Sequence, residues 1–177
     1  MLSYKTGENS AQNAPQDPFH VRTFQASDGD AVTRLYNDGV LHGGDVECVD
    51  CGAFSRISET YLSRPQDHFW VAEADGKVIG TVAICEDEPS VAHLHWLRVD
   101  QQWQFDNRVA LRLVETAAKH ARQYGYLKLI VHTRVDAAKA IEFFEHRGFE
   151  FNRARNVEGT PRLEFYLHLY ELEPQVK

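Results

Sequence analysis

The sequence contains few cysteines and no long apolar stretch. Its three cysteines are Cys48, Cys51 and Cys85, and an odd number without a recognisable secretory signal argues against a disulfide framework. No run of apolar residues is long enough to cross a bilayer. These absences predict a cytoplasmic protein that has no membrane partner.

A complete set of zinc ligands is also absent from the sequence pattern. Cys48 and Cys51 form a single CxxC, whereas a structural zinc site needs four ligands. The nearby candidates are His42 and Asp45 or Asp50, and no second CxxC or HxxxH completes the set. We therefore predict no metal and keep a zinc-binding regulatory module as a remote alternative.

The sequence is short of positive charge. It has 19 Lys and Arg against 26 Asp and Glu, which gives a formal net charge of −7. Because an acidic surface repels the nucleic-acid backbone, we expect no nucleic-acid partner. The charge would suit a cationic substrate such as an amine, although many acidic proteins are simply solvated in this way.

The length of 177 residues is enough for one domain with a sizeable core. Residues 1–18 are polar, include two prolines and show no hydrophobic periodicity, so a disordered tail is predicted there. Residues 172–177 have a similar character. The folded domain is therefore predicted to span residues 19–171.

Hydrophobic periodicity predicts the element order β-α-α-β-β-β-α-β-α-β-β. Asp75-Gly76 lies between two strand patterns and predicts a two-residue hairpin turn. A long amphipathic helix is predicted from about Asp106 to about Gln123, with Gly125 just beyond its end. The glycines and acids of LHGGDVECVDCG predict a loop. The order predicts an α/β (α+β) fold, in which one mixed sheet has helices on both faces.

Two histidines lie in the strand pattern SVAHLHWLRV, before the long helix. Regular alternation places His93, His95, Leu97 and Val99 on one face of this strand. A histidine with an ordinary pKa of about 6.5 is a suitable general base. His95 and His93 are therefore the candidate catalytic residues, although strand histidines taken singly are more often packing or surface residues. Weaker alternatives are Glu86 and Glu88 after the third predicted strand, and Glu164 and His168 on the last strand, where His168 could line the cleft.

Four stretches together resemble the GNAT superfamily of N-acetyltransferases: VRTFQASDGDAVTRLYND, FWVAEADGKVIGTVAI, HLHWLRVD and AIEFFEHRGFEF. No single stretch is specific, but their order and spacing from Val21 to about Tyr170 are. The resemblance implies a GNAT-like sheet of about seven strands. It also implies acetyl transfer from acetyl-CoA, as co-substrate, to a primary amine of a small molecule, peptide or protein.

The resemblance further implies where acetyl-CoA would bind. Family members carry Q/R-x-x-G-x-G/A in the turn after the fourth strand, where backbone N–H groups hold the pyrophosphate. The pantetheine would pair with the backbone of Leu97, Arg98 and Val99. The pyrophosphate would meet the turn and the start of the helix, namely Gln104, Phe105, Asp106, Asn107, Arg108, Val109 and Ala110.

The turn QWQFDNRV contains no glycine, so this site is expected to be weakened. Asn107 tolerates left-handed backbone, but the methyls of Val109 are expected to crowd the phosphate. Asp106 would repel phosphate at the helix N-terminus, and Arg108 would compensate. Replacing Val109 with Gly is therefore expected to tighten CoA binding. The alternative is a plain strand-to-helix turn that Asp106 caps, with Phe105 and Trp103 packed against the core.

The family's usual proton donor is also missing. The tyrosine that protonates the leaving thiolate falls on Phe144, although a thiol with a pKa of about 8.5 leaves tolerably well unaided. Together with Asn107 and Val109, this departure keeps a second hypothesis open. That hypothesis is a catalytically inactive GNAT-fold module for ligand binding or protein interaction. Many relatives dimerise, so a homodimer is also compatible with the resemblance.

Overall fold

The computed structural model describes residues 17–43, 56–105, 107–157 and 159–170. Most of the two predicted tails, the CxxC pair and Asp106 lie outside these residues. Within them the chain forms one eight-stranded mixed sheet with helices on both faces, which confirms the predicted class of fold. No helix in the described ranges is both long and apolar enough to cross a bilayer.

The strands, in chain order, are β1 (His20–Thr23), β2 (Val40–Gly43), β3 (His68–Ala74), β4 (Lys77–Glu88), β5 (Val91–Val99), β6 (Lys128–Arg134), β7 (Glu150–Val157) and β8 (Thr160–His168). The helices are α1 (Gly29–Asp38), α2 (Ile57–Tyr61), α3 (Arg108–Gln123) and α4 (Ala138–Glu145). The strand order across the sheet is β1-β3-β4-β5-β2-β6-β8-β7.

Local turn chemistry sets two boundaries as predicted. Asp75 and Gly76 have φ values of 49° and 72°, which are the left-handed angles that a tight two-residue turn between β3 and β4 requires. Gly125 has a φ of 78° just beyond α3. The predicted hairpin and the predicted end of the long helix are therefore confirmed.

The apolar core lies in two layers, one on each face of the sheet. One layer packs α3 and α4 against the sheet, and it contains Leu94, Leu97 and Val99 of β5. The other packs α1 and α2 against β3, β4 and β5, and it contains Trp96. Side chains of β5 therefore serve both layers.

A β-bulge in β5 changes the predicted alternation. Thr81 pairs with Arg98, whereas Ala83 pairs with His95, so Trp96 and Leu97 together lie opposite one residue of β4. Trp96 has a φ of 56°, which is rare for a bulky side chain. The extra residue moves Leu97 and Val99 to the face opposite the histidines. The prediction that the four residues share one face is therefore wrong.

Strand β2 is the strand that the sequence did not predict. β5 and β6 pair in parallel from Val91 to His93, as expected for a crossover through α3. Beyond that point they separate, and β2 pairs with the C-terminal half of β5 and with Thr133 of β6. We call the space between the separated strands the β5–β6 gap. The segment predicted as a loop therefore begins with a short strand that fills this gap.

Candidate active site

Three histidines lie together where β5 and β6 separate. The ring centroids of His93 and His95 are 4.0 Å apart, and those of His93 and His132 are 4.5 Å apart. His93 is only 5% exposed and His132 only 4%, whereas His95 is half-buried. The structure thus brings the two predicted histidines together and adds a third, His132 of β6. We call these three residues the histidine group.

Burial keeps the inner histidines neutral. Burial and the neighbouring rings of His95 and His132 hold the pKa of His93 well below its usual value. Burial also lowers the pKa of His132, although the carboxylate of Glu164 opposes the shift. Both rings are therefore uncharged near pH 7, which is the state that a base requires.

Glu164 of β8 orients His132. Nε2 of His132 lies 2.9 Å from Oε2 of Glu164. Burial alone would raise the pKa of Glu164, but hydrogen bonds from His132, Arg153 and Asn152 lower it to about 2. An ionised carboxylate only accepts hydrogen bonds, so His132 donates from Nε2. Its Nδ1 then carries a lone pair, and this atom has no hydrogen-bond partner in the described part of the chain.

The predicted pantetheine edge of β5 is occupied by the chain itself. The side chains of Leu97 and Val99 are buried in the core, so each offers only its backbone. That backbone pairs with β2, at Gly43 and Val40 respectively. Arg98 is also buried, and its guanidinium lies 5.3 Å from the ring centre of Tyr36. Pairing of a ligand with this edge therefore requires β2 to move.

A cleft of about 540 Å³ lies between the turn before α3 and helix α4. From the turn it is lined by Gln104, Phe105 and Asn107, as the resemblance implied. On the other side it is lined by Lys139 and Glu142 of α4 and by His146 and Arg147, which follow the end of that helix. The sequence pattern did not indicate these residues. The available signal was the seven- and eight-residue spacing from Lys139 to His146 and Arg147 in AKAIEFFEHRGF. We call this space the basic cleft.

The turn has a different geometry from the one expected. Asn107 has a φ of −61°, so it adopts right-handed backbone and α3 begins directly after it. Phe105 is 89% exposed, so the alternative is wrong for this residue, whereas Trp103 does pack against the core as that alternative expected. Asp106 lies outside the described residues. The turn therefore leads straight into a helix N-terminus whose first N–H groups have no helical partner.

Val109 does not crowd the cleft. Its side chain is fully buried on the core face of α3, as is that of Ala110. A Cβ atom added to Gly80 of β4 would lie 3.0 Å from Cγ1 of Val109, so Val109 fills the space that this glycine leaves. The expectation that its methyls obstruct phosphate is wrong, because the side chain points into the core.

Two further predicted features have clear places in the structure. Nη1 of Arg108 lies 3.4 Å from Oδ1 of Asp17, so this guanidinium faces an acid. Phe144 is fully buried and contacts Phe143 and Phe149, so α4 offers no proton donor at that position.

In the described ranges, no group of three or more His, Cys, Asp or Glu side chains is arranged to hold a metal ion.

The basic cleft fits the phosphate part of acetyl-CoA. Its volume, the cations Lys139 and Arg147 and the helix N-terminus favour a diphosphate, and they outweigh the one acid in its lining, Glu142. Val40 lines the cleft and also pairs with Val99. Strand β2 therefore runs from the rim of the basic cleft into the β5–β6 gap, beside the histidine group.

Comparison with known proteins agrees with this arrangement. Residues 31–149 match the acetyltransferase (GNAT) family. The chain is 33% identical to N-acetyltransferase 8 of Homo sapiens over 110 residues, which are 59% of this chain and 48% of that protein. The chain therefore spans about half the length of the curated relatives that it matches.

Solved structures share the same fold. A GNAT-family acetyltransferase from Staphylococcus aureus superimposes with a TM-score of 0.70 at 13% identity, over 86% of this chain and 99% of that one. An acetyltransferase from Salmonella typhimurium, solved with its cofactor acetyl-CoA, gives a TM-score of 0.68 at 15% identity over 89% and 97%. The fold and the cleft define an acyltransferase scaffold. The chain belongs to the acetyltransferase (GNAT) family.

Proposed function

We propose that the protein is an acetyl-CoA-dependent N-acetyltransferase that acetylates a primary amine of a small molecule, peptide or protein. The observation that carries this proposal is His132, whose Nδ1 lone pair is oriented by Glu164 beside the β5–β6 gap. In a member of this family, a base at that position lies beside the strand edge where the thioester is expected.

Acetyl-CoA would bind with its phosphates in the basic cleft and its pantetheine arm directed towards the β5–β6 gap. Lys139 and Arg147 would bind its phosphates, together with backbone N–H groups from Gln104 to Ala110 at the start of α3. The pantetheine would follow the backbone of β5 from Leu97 to Val99 after β2 moves out of the gap. When bound, acetyl-CoA supplies the activated acetyl group.

The residues of the chain would then supply the proton chemistry. The ammonium of the acceptor loses its proton to the histidine group, in which half-buried His95 is reachable and His132 has the better oriented lone pair. The ring of His93 packs between those of His95 and His132 and holds them in place. Backbone N–H groups of β5 would stabilise the oxyanion that forms when the amine attacks the thioester. The CoA thiolate leaves unaided because Phe144 cannot donate a proton.

The inactive-module hypothesis is supported by one observation. β2 fills the gap that the pantetheine would need, so a protein in which β2 never moved would not bind acetyl-CoA productively. Val109 no longer supports that hypothesis, because its side chain is buried. Binding of acetyl-CoA followed by release of CoA thiol therefore separates the two functions.

Two measurements test the proposal. Calorimetry and thermal shift measure acetyl-CoA binding, and ligand at one hundred times its Kd should stabilise the fold by about 2.7 kcal/mol. Release of CoA thiol across a panel of primary amines then measures transfer. His132→Gln and His95→Gln should lower kcat with acetyl-CoA affinity retained, and exposed His20→Gln is the control. Binding without thiol release from any amine would favour the inactive module, as would no binding at millimolar acetyl-CoA.

The remaining predictions rest on the sequence. They are the domain boundaries at residues 19–171, a cytoplasmic location and a homodimer.

A further inference from the structure

Three arginines lie side by side on the face of the sheet that carries the histidine group. Arg162 of β8 pairs with Arg134 of β6 on one side and with Arg155 of β7 on the other. We call this the arginine row. Like charges directly opposite each other in a sheet are destabilising, so such a row needs negative charge to balance it.

The two outer arginines of the row have acidic partners. Arg134 binds Asp136, with Nε 2.8 Å from Oδ1. Nη1 of Arg155 lies 2.9 Å from Oε2 of Glu164. Glu164 also accepts from Nε of Arg153 at 2.9 Å, so one carboxylate serves two guanidinium groups as well as His132.

The central arginine shares the acid of its neighbour: the hydrogen bond from Arg134 and, to a lesser extent, the charge of Arg162 lower the pKa of Asp136. Arg162 is only 8% exposed, and its Nε and Nη1 atoms have no hydrogen-bond partner in the part of the chain that the structure describes. A buried guanidinium without an acceptor is costly, and natural proteins rarely retain one without a reason. In a chain with a net charge of −7, this local excess of positive charge indicates an anionic ligand.

The open guanidinium lies beside the proposed base. On β8, Arg162 and Glu164 are two residues apart and therefore face the same side of the sheet. Glu164 lies opposite His132, so Arg162 is diagonal to that histidine across the β6–β8 pair. Burial is the main cause of the lowered pKa values of His93 and His132, and the charge of Arg155, which pairs with Arg162, lowers both further. One end of the arginine row therefore lies near the histidine group.

We propose that the acceptor amine carries a carboxylate, and that Arg162, assisted by Arg155, binds this carboxylate while the histidine group receives the proton of the amine. This inference rests on the proposed acetyltransferase function and narrows its acceptor to compounds of the amino-acid type. The reaction stays an acetyl transfer: the amine nitrogen gains the acetyl carbon, the thioester C–S bond breaks, and the carboxylate is unchanged.

Matched acceptors test the assignment. The rate of CoA thiol release is measured with glycine, glycinamide and methylamine, and with phenylalanine, phenylalaninamide and phenethylamine. We expect the KM of at least one carboxylate compound to be about ten-fold or more below that of its amide, as for one charge-assisted hydrogen bond. Equal KM values for the acid and the amide in both sets would overturn the inference while leaving acetyl transfer intact.

The variant Arg162→Met distinguishes a role of Arg162 in binding the acceptor from a role in stabilising the fold. It should abolish the preference for the carboxylate by raising the KM of the acids to that of the amides. Without acceptor its Tm should equal or exceed that of the wild type, because buried guanidinium nitrogens without hydrogen-bond partners have been removed. Arg134→Gln, whose charge is balanced by Asp136, should keep the preference. A lower Tm for Arg162→Met with equal loss for every acceptor would make Arg162 structural and overturn the inference.

A binding measurement keeps the test decisive if no amine is acetylated. In that case the proposed function fails, and calorimetry compares N-acetylglycine and N-acetylphenylalanine with their amides. Tighter binding of the acids to the wild type than to Arg162→Met would support the carboxylate site. Identical binding of acids and amides to both proteins would reject it.

Discussion

His132 and Glu164 face each other across β6 and β8, and the two side chains are joined by a 2.9 Å hydrogen bond between Nε2 and Oε2. Each group fixes the protonation state of the other. The ionised carboxylate determines which ring nitrogen carries the proton, and the ring is one of the donors that keep the carboxylate ionised despite its burial. This pair therefore links the proposed chemistry to the stability of the sheet.

The first prediction concerns the pH dependence of activity in Glu164→Gln. Glu164 opposes the burial that lowers the pKa of His132, so removing its charge lowers that pKa further. The acidic limb of the kcat/KM profile should move to lower pH, and kcat should fall about ten-fold or more because the base is weaker. Glu150→Gln, on neighbouring β7, should leave the profile unchanged. A shift of the acidic limb to higher pH would contradict the assignment.

The second prediction concerns acid stability. The pKa of Glu164 is lowered from 4.5 to about 2 in the folded state, so its contribution is complete above pH 4.5 and is lost as the pH falls toward 2. The wild type should therefore lose Tm more steeply over this range than Glu164→Gln does. At pH 7 the variant should melt lower, because Arg153 and Arg155 lose their acceptor. Parallel Tm curves for the two proteins would show that folding does not lower the pKa of Glu164.

The third prediction concerns the basic cleft. Lys139→Gln combined with Arg147→Gln should weaken acetyl-CoA binding about ten-fold in calorimetry, because two charge-assisted contacts to phosphate are lost. The effect should shrink as salt is raised. Lys119→Gln combined with Arg56→Gln removes the same charges from exposed positions elsewhere. Equal weakening by this control would mean that the overall charge of the protein, and not direct contact in the basic cleft, determines the affinity for acetyl-CoA.

The fourth prediction concerns Val109→Gly. The side chain is fully buried against Gly80 and Leu113, so its removal should leave a cavity in addition to the helix cost of glycine. A loss of about 3 kcal/mol, or roughly 6–12 °C in Tm, is expected. Affinity for CoA should not increase. Glu115→Gly, at an exposed position of α3, should show only the helix cost, about 1 kcal/mol.

The fifth prediction concerns the movement of β2. If acetyl-CoA pairs with Leu97 and Val99, amides of Val40–Gly43 should exchange hydrogen faster when the ligand is bound, while those of β5 stay protected. Amide exchange resolved by mass spectrometry measures both segments in one experiment. The hairpin around Asp75-Gly76 is the internal control. Increased protection of Val40–Gly43 would mean that the ligand binds without entering the gap.

Features that depend on neighbouring residues were predictable from the sequence. The turn at Asp75-Gly76 and the end of α3 before Gly125 follow from residue types that tolerate left-handed backbone. The crossover from β5 to β6 follows from a buried strand, an amphipathic helix and a second buried strand. Gln104 and Asn107 do line a cleft, as the resemblance implied.

Features that depend on distant pairing were not predictable in the same way. β2 is a strand because its backbone pairs with the edges of both β5 and β6. No local sequence pattern indicates this pairing. The bulge at Trp96 is set by the register with β4, so regular alternation placed Leu97 on the wrong face. The role of Glu164 required β6 and β8 to be neighbours. Only His132 was noticeable from the local sequence, because it is the one histidine in the mainly apolar strand β6.

The position of Trp96 at the bulge also makes its fluorescence a measure of changes at this point of the sheet. Its indole is 5% exposed, and its N–H donates to the hydroxyl of Tyr61 at 2.9 Å, beside the point where β5 departs from β6. Indole emission is sensitive to hydration and to such hydrogen bonds, so a ligand that opened this junction would alter the colour and intensity of fluorescence. With Trp70 and Trp103 replaced by phenylalanine, entry into the sheet could be followed in real time without any attached dye.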